Sequence, residues 1–408
     1  MDESNHYVTG LDVGTENVRA VVASVSNDGK ISIVGYNEGK SSGMRKGVPA
    51  NLTGPASAID QMLGEVERMS GREIKSAYVS VNGSQILTTR TEGMIAVGTV
   101  EHEINDNDLD RILNVAVTGR IPANRNVLDV VPLEYALDGQ GGIKDPLGMA
   151  GARLEMRACV VSALTPNCEN LKKATETALV YAEKLVPTAV AAAKAVLTEK
   201  QKENGVAVID LGAATTSVAV YEEGDLQYTA VVPAGSNNIT NDLAIMLAID
   251  PQMAEEIKCR FVTGDFESEK SVVIKIGNPE RVFERKEVEE VVQARLEEIF
   301  LEVRKKLKTA KYDQRLPEGI VLTGGGAKMR DIDLFAKKVM EASVKIGVPV
   351  GLGGVAEAIE KPEYAVAVGL MMMAAEGGAI TQNTKRKNSK NDKKGLDFGF
   401  VKKFFAKF

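Results

Sequence analysis

The sequence predicts an α/β protein made of two homologous halves that face each other across a cleft. Three observations carry this. Residues 6–36 read as a three-strand meander, and residues 205–233 repeat the same plan about 200 residues later. Each copy places Asp-x-Gly at the same point, as Asp12-Val13-Gly14 and Asp210-Leu211-Gly212. A third apolar strand, in GIVLTGGGAKM (319–329), runs into three glycines and a helix start.

The elements follow in order. VTGLDVG is apolar and turns at Gly14; NVRAVVASV alternates, NDG turns, and KISIVGY alternates again. The second copy reads GVAVIDLG, TTSVAVYE, EGD and LQYTAVV. Meanders are common and Asp-x-Gly alone is weak, but the matched hairpin lengths favour duplication over chance. Residues 56–70 and 169–182 read as helices, and PTAVAAAKAVL (187–197) as another with Pro187 in its first turn. Residues 284–311 form a long amphipathic helix whose stripe is Val288, Val291, Val292, Ile299, Phe300, Val303 and Leu307, a core face. YAVAVGLMMMAA (364–375) is an apolar helix after Pro362, short of the ~20 residues that span a bilayer. Residues 377–394 show no apolar period and read as a flexible linker.

Composition narrows the class. At ~150 residues per domain, 408 residues make two or three domains or one large bilobed unit. Hydrophobic residues are 44% and charged residues 26%, which excludes a disordered chain. Three widely spaced cysteines (Cys159, Cys168, Cys259) and two histidines (His6, His102) exclude a disulfide scaffold and a zinc site. A reducing, cytosolic compartment is expected, and the polar, acidic start does not read as a signal peptide. Residues 385–408 carry +7 against −6 overall, so the rest carries −13. Such an acidic body is expected to bind no nucleic acid, and its basic tail points to an anionic partner.

The chemistry lies in the three glycine turns. DVGT (12–15) and DLGAATT (210–216) each set a carboxylate beside a turn rich in N–H and hydroxyl donors. Two such hairpins facing each other would grip phosphates from both sides, and Asp12 and Asp210 would hold a hydrated Mg²⁺. The glycines at 324–326 let backbone approach a ligand closely. There is no Gly-x-x-x-x-Gly-Lys-Ser/Thr and no GxGxxG in these turns, so neither a P-loop NTPase nor a Rossmann dehydrogenase is supported.

The set, in this order and spacing, resembles the actin–Hsp70–sugar kinase ATPase superfamily. The resemblance implies an actin-like fold, two RNase H-like halves with ATP between them. It assigns phosphate contacts to Gly14, Thr15, Glu16 and Asn17, to Gly212, Ala213, Ala214, Thr215 and Thr216, and to the following turn at Gly235, Ser236 and Asn238. Glu255 and Lys258 in AEEIKCR match the pair that touches ribose; taken alone, they are a solvated i,i+3 pair. Gly324, Gly325, Gly326, Lys328 and Met329 fall against adenine and ribose. Within the superfamily, VPLEYALD, IKDPLGMAGARLEM and the chain end GLDFGFVKKFFAKF resemble the FtsA family of bacterial cell-division proteins. The implied plan is subdomain 1A at 6–85 and 160–200, 1C at 86–159, 2A at 201–238 and 317–376, 2B at 239–316, a linker at 377–396 and a membrane-binding helix at 397–408.

No catalytic residue is assigned. Val186 stands where Hsp70-like members have a Glu, and it cannot accept a proton. In the second turn Ala214 replaces a glycine and Ser217 an Asp, and the first turn lacks a lysine that some members use. ATP binding with weak or no hydrolysis is expected. In the tail, Phe398, Phe400, Val401, Phe404, Phe405 and Phe408 share one arc of ~160°, flanked by Lys402, Lys403 and Lys407. That reads as a helix lying in the plane of an anionic membrane. The resemblance implies an oligomerising adaptor that ties the FtsZ ring to the membrane. Its partners would be the FtsZ C-terminal peptide on 2B, further copies of itself, and other division proteins through 1C. The alternative is a sugar or acetate kinase of the same superfamily.

Overall fold

The structure, a computed structural model, describes residues 6–263, 271–274, 281–313 and 315–385. The first half opens with an antiparallel meander of β1 (His6–Val13), β2 (Asn17–Val25) and β3 (Ile31–Lys40). A small hairpin, β4 (Met44–Arg45) and β5 (Val48–Pro49), leads to α1 (Thr53–Ser70) and β6 (Ser76–Val81), which lies parallel to β1. An inserted unit follows: β7 (Leu87–Ala96), α2 (Asp106–Val117), β8 (Arg125–Leu137), β9 (Gln140–Ile143) and β10 (Arg153–Leu164). Its sheet runs β7-β10-β8-β9 over its own apolar core, with Ile112, Leu154 and Met156 buried. The chain then returns through α3 (Thr165–Thr177), β11 (Tyr181–Pro187), α4 (Thr188–Val196) and α5 (Glu199–Asn204).

The second half repeats the meander as β12 (Val206–Leu211), β13 (Thr216–Glu222) and β14 (Asp225–Val232). Helices α6 (Ser236–Met246) and α7 (Pro251–Thr263), the pair β15 (Ser271–Ile274) and β16 (Arg281–Glu284), and α8 (Arg285–Thr309) come next. The half is completed by β17 (Ile320–Thr323), α9 (Ile332–Met340) and β18 (Val344–Ile346). β19 (Gly353–Gly354) crosses back to the first half and pairs with β3 before α10 (Ala365–Lys385). The two main sheets therefore run β11-β6-β1-β2-β3-β19 and β14-β13-β12-β17-β18. The α10 helix packs against β1 and α4. A Cβ on Gly369 would sit 1.7 Å from the Ala191 carbonyl oxygen, so only glycine permits that approach.

Three sequence expectations are corrected. The helix expected over 169–182 is α3, which ends at Thr177; Leu179 takes a left-handed φ of 60°, and β11 begins at Tyr181. Pro187 closes β11, and α4 starts one residue later. The helix after Pro362 does not stop near 376: α10 runs to Lys385, into the stretch read as linker. Residues 377–385, GGAITQNTK, carry no apolar stripe in the sequence, so periodicity gives no sign of helix there. The rest of that linker and the amphipathic segment 397–408 lie outside the described residues. Among the described residues, no helix is long and apolar enough to cross a membrane.

Candidate functional site

The two Asp-x-Gly turns are built alike. Asp12 ends the apolar run of β1 and Asp210 that of β12, each only 7% exposed. Gly14 N–H donates to the Asn17 carbonyl at 3.1 Å, and Gly212 N–H to the Thr215 carbonyl at 3.0 Å. In the first turn, Thr15 Oγ1 accepts from Gly47 N–H at 3.0 Å. Glu16 accepts from Lys40 at 3.0 Å and, across the cleft, from Asn237 at 3.1 Å. Burial pushes the Glu16 carboxyl up, but these two donors outweigh it and hold it below its ordinary value.

The two aspartates repel each other. Burial raises the Asp12 carboxyl, opposed by Arg19 and by the Ser80 hydroxyl. Burial, then the Asp12 charge, pushes Asp210 up to about 7, with Arg19 opposing. A dication between them would relieve both effects. Among the described residues no group of three or more His, Cys, Asp or Glu forms. A Mg²⁺ here would therefore take most of its ligands from water and from ligand oxygens, as that ion prefers.

The third turn borders the second carboxylate. Gly324 has a φ of 89°, and a Cβ there would lie 2.4 Å from Asp210 Oδ1. A Cβ on Gly325 would meet open space. Lys328 pairs with Glu363 at 2.9 Å, and Met329 is buried. The turn at Gly235 caps α6 on the second phosphate turn, with Ser236 N–H donating to the Gly212 carbonyl and Asn237 N–H to that of Ala213. Gly235 N–H donates to Asn238 Oδ1 at 3.0 Å. Glu255 and Lys258 on α7 pair at 2.6 Å, and both bond Thr240. Burial raises the Glu255 carboxyl, and Lys258 and Thr240 bring it back below its ordinary value.

The fold thus gathers Asp12, Asp210 and Gly324, with the two turns on either side. Ala213 and Ala214 complete the second turn, while Thr216 spends its hydroxyl on the Ala234 carbonyl. Val186, at the end of β11, is 2% exposed and brings no polar group. Sequence reasoning missed Asn82, Thr188 and Asn237, which hydrogen-bond between the halves, and Arg19, which faces Asp12. Their only sequence signal is polarity beside an apolar run, because their partners are remote in the chain.

Comparison with known proteins places this geometry. A model described as "Cell division protein FtsA" matches residues 207–369, and one described as "SHS2 domain inserted in FTSA" matches residues 83–162, the inserted unit. The cell division protein FtsA of Pseudomonas aeruginosa is 35% identical over 91% of this chain and 89% of its own. That of Escherichia coli is 32% identical over 90% of each chain, and that of Bacillus subtilis 31% over 92% and 85%. Among solved structures, a PilM–PilN type IV pilus biogenesis complex matches with a TM-score of 0.66 at 16% identity, covering 90% of this chain and 98% of that one. MreB5 of Spiroplasma citri bound to ADP matches with a TM-score of 0.53 at 15% identity, over 93% and 98%. The fold is actin-like, and the chain belongs to the FtsA family of cell division proteins.

Proposed function

We propose that this protein is an ATP-binding, actin-like division adaptor that oligomerises and tethers the FtsZ ring to the cytoplasmic face of the membrane at the septum. The observation that carries the nucleotide part is the convergence of Asp12, Asp210 and Gly324 between two donor-rich turns. Asp12 and Asp210 would hold Mg²⁺ through water. Bound ATP would supply the charge that this dication neutralises. The neighbour MreB5 has ADP bound, and the same fold supports a nucleotide here. Val186 is buried and apolar and Ser217 stands in place of a carboxylate, so neither position can deprotonate a water, and hydrolysis is slow or absent. The kinase alternative is not favoured, because family membership points to division.

The tail supports the tethering part. Its apolar arc and its lysines fit an anionic leaflet, where each lysine adds ~1 kcal/mol. The FtsZ C-terminal peptide is assigned to residues 239–316 (2B), other division proteins to the inserted unit (1C), and self-association to the actin-like body. The test is flotation with anionic liposomes. The intact chain should float and a truncation at Gly378 should not. Phe404→Glu with Phe405→Glu should lower binding by about two orders of magnitude, since burying each ring contributes ~1.5–3 kcal/mol. Lys402→Glu with Lys403→Glu should cost less and in a salt-dependent way. Undiminished flotation of the double Phe variant removes the anchor. Recruitment of FtsZ filaments to those liposomes, seen by electron microscopy, tests the adaptor role.

A further inference from the structure

Asn82 follows β6 in the first half, yet its carboxamide serves the second half's phosphate turn. Its Oδ1 accepts from its neighbour, Gly83 N–H, at 2.7 Å. A backbone N–H can only donate, so this contact fixes which way the amide faces. The same Oδ1 accepts from Ser217 Oγ at 3.2 Å, and Nδ2 donates to Thr215 Oγ1 at 3.0 Å. Thr188 Oγ1 donates to Ser217 Oγ at 2.9 Å, so the Ser217 proton is directed at Asn82.

The contacts form a chain with one direction. Thr188 donates to Ser217, Ser217 to Asn82, and Asn82 to Thr215. Thr188, Ser217 and Thr215 are 5%, 1% and 5% exposed, so water does not compete strongly with it. At its end Thr215 Oγ1 accepts from Asn82, and among the described residues no hydrogen bond takes up its proton. Its neighbour Thr216 is different, having spent its hydroxyl on Ala234. Asn82 also packs under the β4–β5 hairpin, where a Cβ on Gly47 would come 3.0 Å from Asn82 Cβ. Gly47 N–H in turn holds Thr15 of the first turn. One side chain therefore bonds the second phosphate turn and packs on the hairpin that holds the first.

We propose that Asn82 orients the Thr215 hydroxyl as a donor to the terminal phosphate, and so sets selectivity for nucleoside triphosphate over diphosphate. This rests on the nucleotide reading above. Asn82 acts through Thr215, so it is a positioning residue, and its effect should fall on the one phosphate that a diphosphate lacks. Hydrogen bonds to charged groups are strong enough for the expected effect to be about tenfold or more.

The experiment is calorimetry of the full chain with a non-hydrolysable ATP analogue and with ADP, both with Mg²⁺. In Asn82→Asp, one carboxylate oxygen keeps the Gly83 and Ser217 contacts, while the other can only accept and draws the Thr215 proton to itself. Triphosphate affinity should fall about tenfold or more, and diphosphate affinity less than about threefold. Thr215→Val, which removes the hydroxyl and nearly keeps the shape, should give the same selective loss. Adding Asn82→Asp to it should add little. Asp210→Asn should weaken both nucleotides; if it weakens neither, the nucleotide reading fails. If Asp210→Asn weakens both while Thr215→Val, or a folded Asn82→Asp variant, leaves the triphosphate-to-diphosphate ratio unchanged, the positioning role is overturned. An unchanged ratio in Thr215→Val overturns the proposal even where Asn82→Asp does not fold.

Discussion

The two halves share one meander but surround their aspartates differently. In the first half, register sets Asp12 opposite Arg19, and Arg19 opposite Glu38. In the second, Asp210 stands opposite Ser217, and Ser217 opposite Val231. Arg19 donates twice to Glu38, at 3.1 Å each, and lies over the Tyr364 ring, 5.8 Å from its centroid. Asp12 thus has a fixed cation across the strand, whereas Asp210 has a hydroxyl. The meander supplies the same geometry twice, and a few cross-strand side chains set the charge around each aspartate. Burial raises both carboxyls; Asp210, without the cross-strand cation, also feels the Asp12 charge and is pushed up to about 7.

The sharpest break of this comparison is Asp210→Asn. It should lower Mg-nucleotide affinity by about a hundredfold, a loss of ~2.7 kcal/mol. It should also stabilise the ligand-free protein at pH 8. Asp210 has a folded pKa raised from 3.8 to about 7, so the folded state binds its proton more tightly than the unfolded chain does. Stability from this group is therefore fully present below about pH 4 and declines as pH rises to about 7, by a few kcal/mol in all. Thermal melts of the ligand-free protein between pH 5 and 8 should show the gap between variant and parent widening with pH. Parallel profiles would mean that Asp210 is not a strained, buried acid.

A smaller effect comes from dismantling the first half's ladder. Arg19→Met keeps the stem but removes the cation from Asp12 and Glu38. The Arg19 side chain is 13% exposed and that of Glu38 34%, so the pair is neither a surface bridge nor fully buried. The loss should be about 1–3 kcal/mol, between the surface and buried extremes. It should be larger at pH 8 than at pH 5, because burial raises the Asp12 carboxyl and more of its charge is then uncompensated. Denaturant midpoints at the two pH values measure it, and an effect independent of pH would assign Arg19 a packing role alone.

What was legible in the sequence was local. The strands of both meanders alternate or run apolar because each pairs with its neighbour a few residues away. The Asp-x-Gly pairs and the glycines at 324–326 could be picked out because turn chemistry depends on residue type at fixed offsets. Asn82 was not, because its partner Thr215 is 133 positions away. Arg19 looked like any outward polar residue of an alternating strand until Glu38 and Tyr364 closed around it. The end of α3 was misread because Val180, Ala182, Leu185 and Val186 suit a helix or a buried parallel strand equally, and no Gly or Pro marks the break at Leu179. The last turns of α10 are not legible because GGAITQNTK has no apolar period and reads as linker.

The finest comparison is between the glycines of the two turns. Neither Gly14 nor Gly212 takes a left-handed φ, so space alone decides what an added Cβ does. At Gly14 it would lie 2.6 Å from the Asn17 carbonyl oxygen, and the obstacle is backbone, which can yield only by opening the turn. At Gly212 it would lie 3.0 Å from the Thr215 carbonyl oxygen, where a shift of a few tenths of an ångström suffices. Gly14→Ala should therefore destabilise by about 1–3 kcal/mol and Gly212→Ala by about 1 kcal/mol or less. The second turn already carries Ala213 and Ala214, in keeping with its greater room for side chains. Urea midpoints of the two variants give the difference. If Gly212→Ala proves the more damaging, the first turn is the looser one, and the contrast between the halves lies only in their charges.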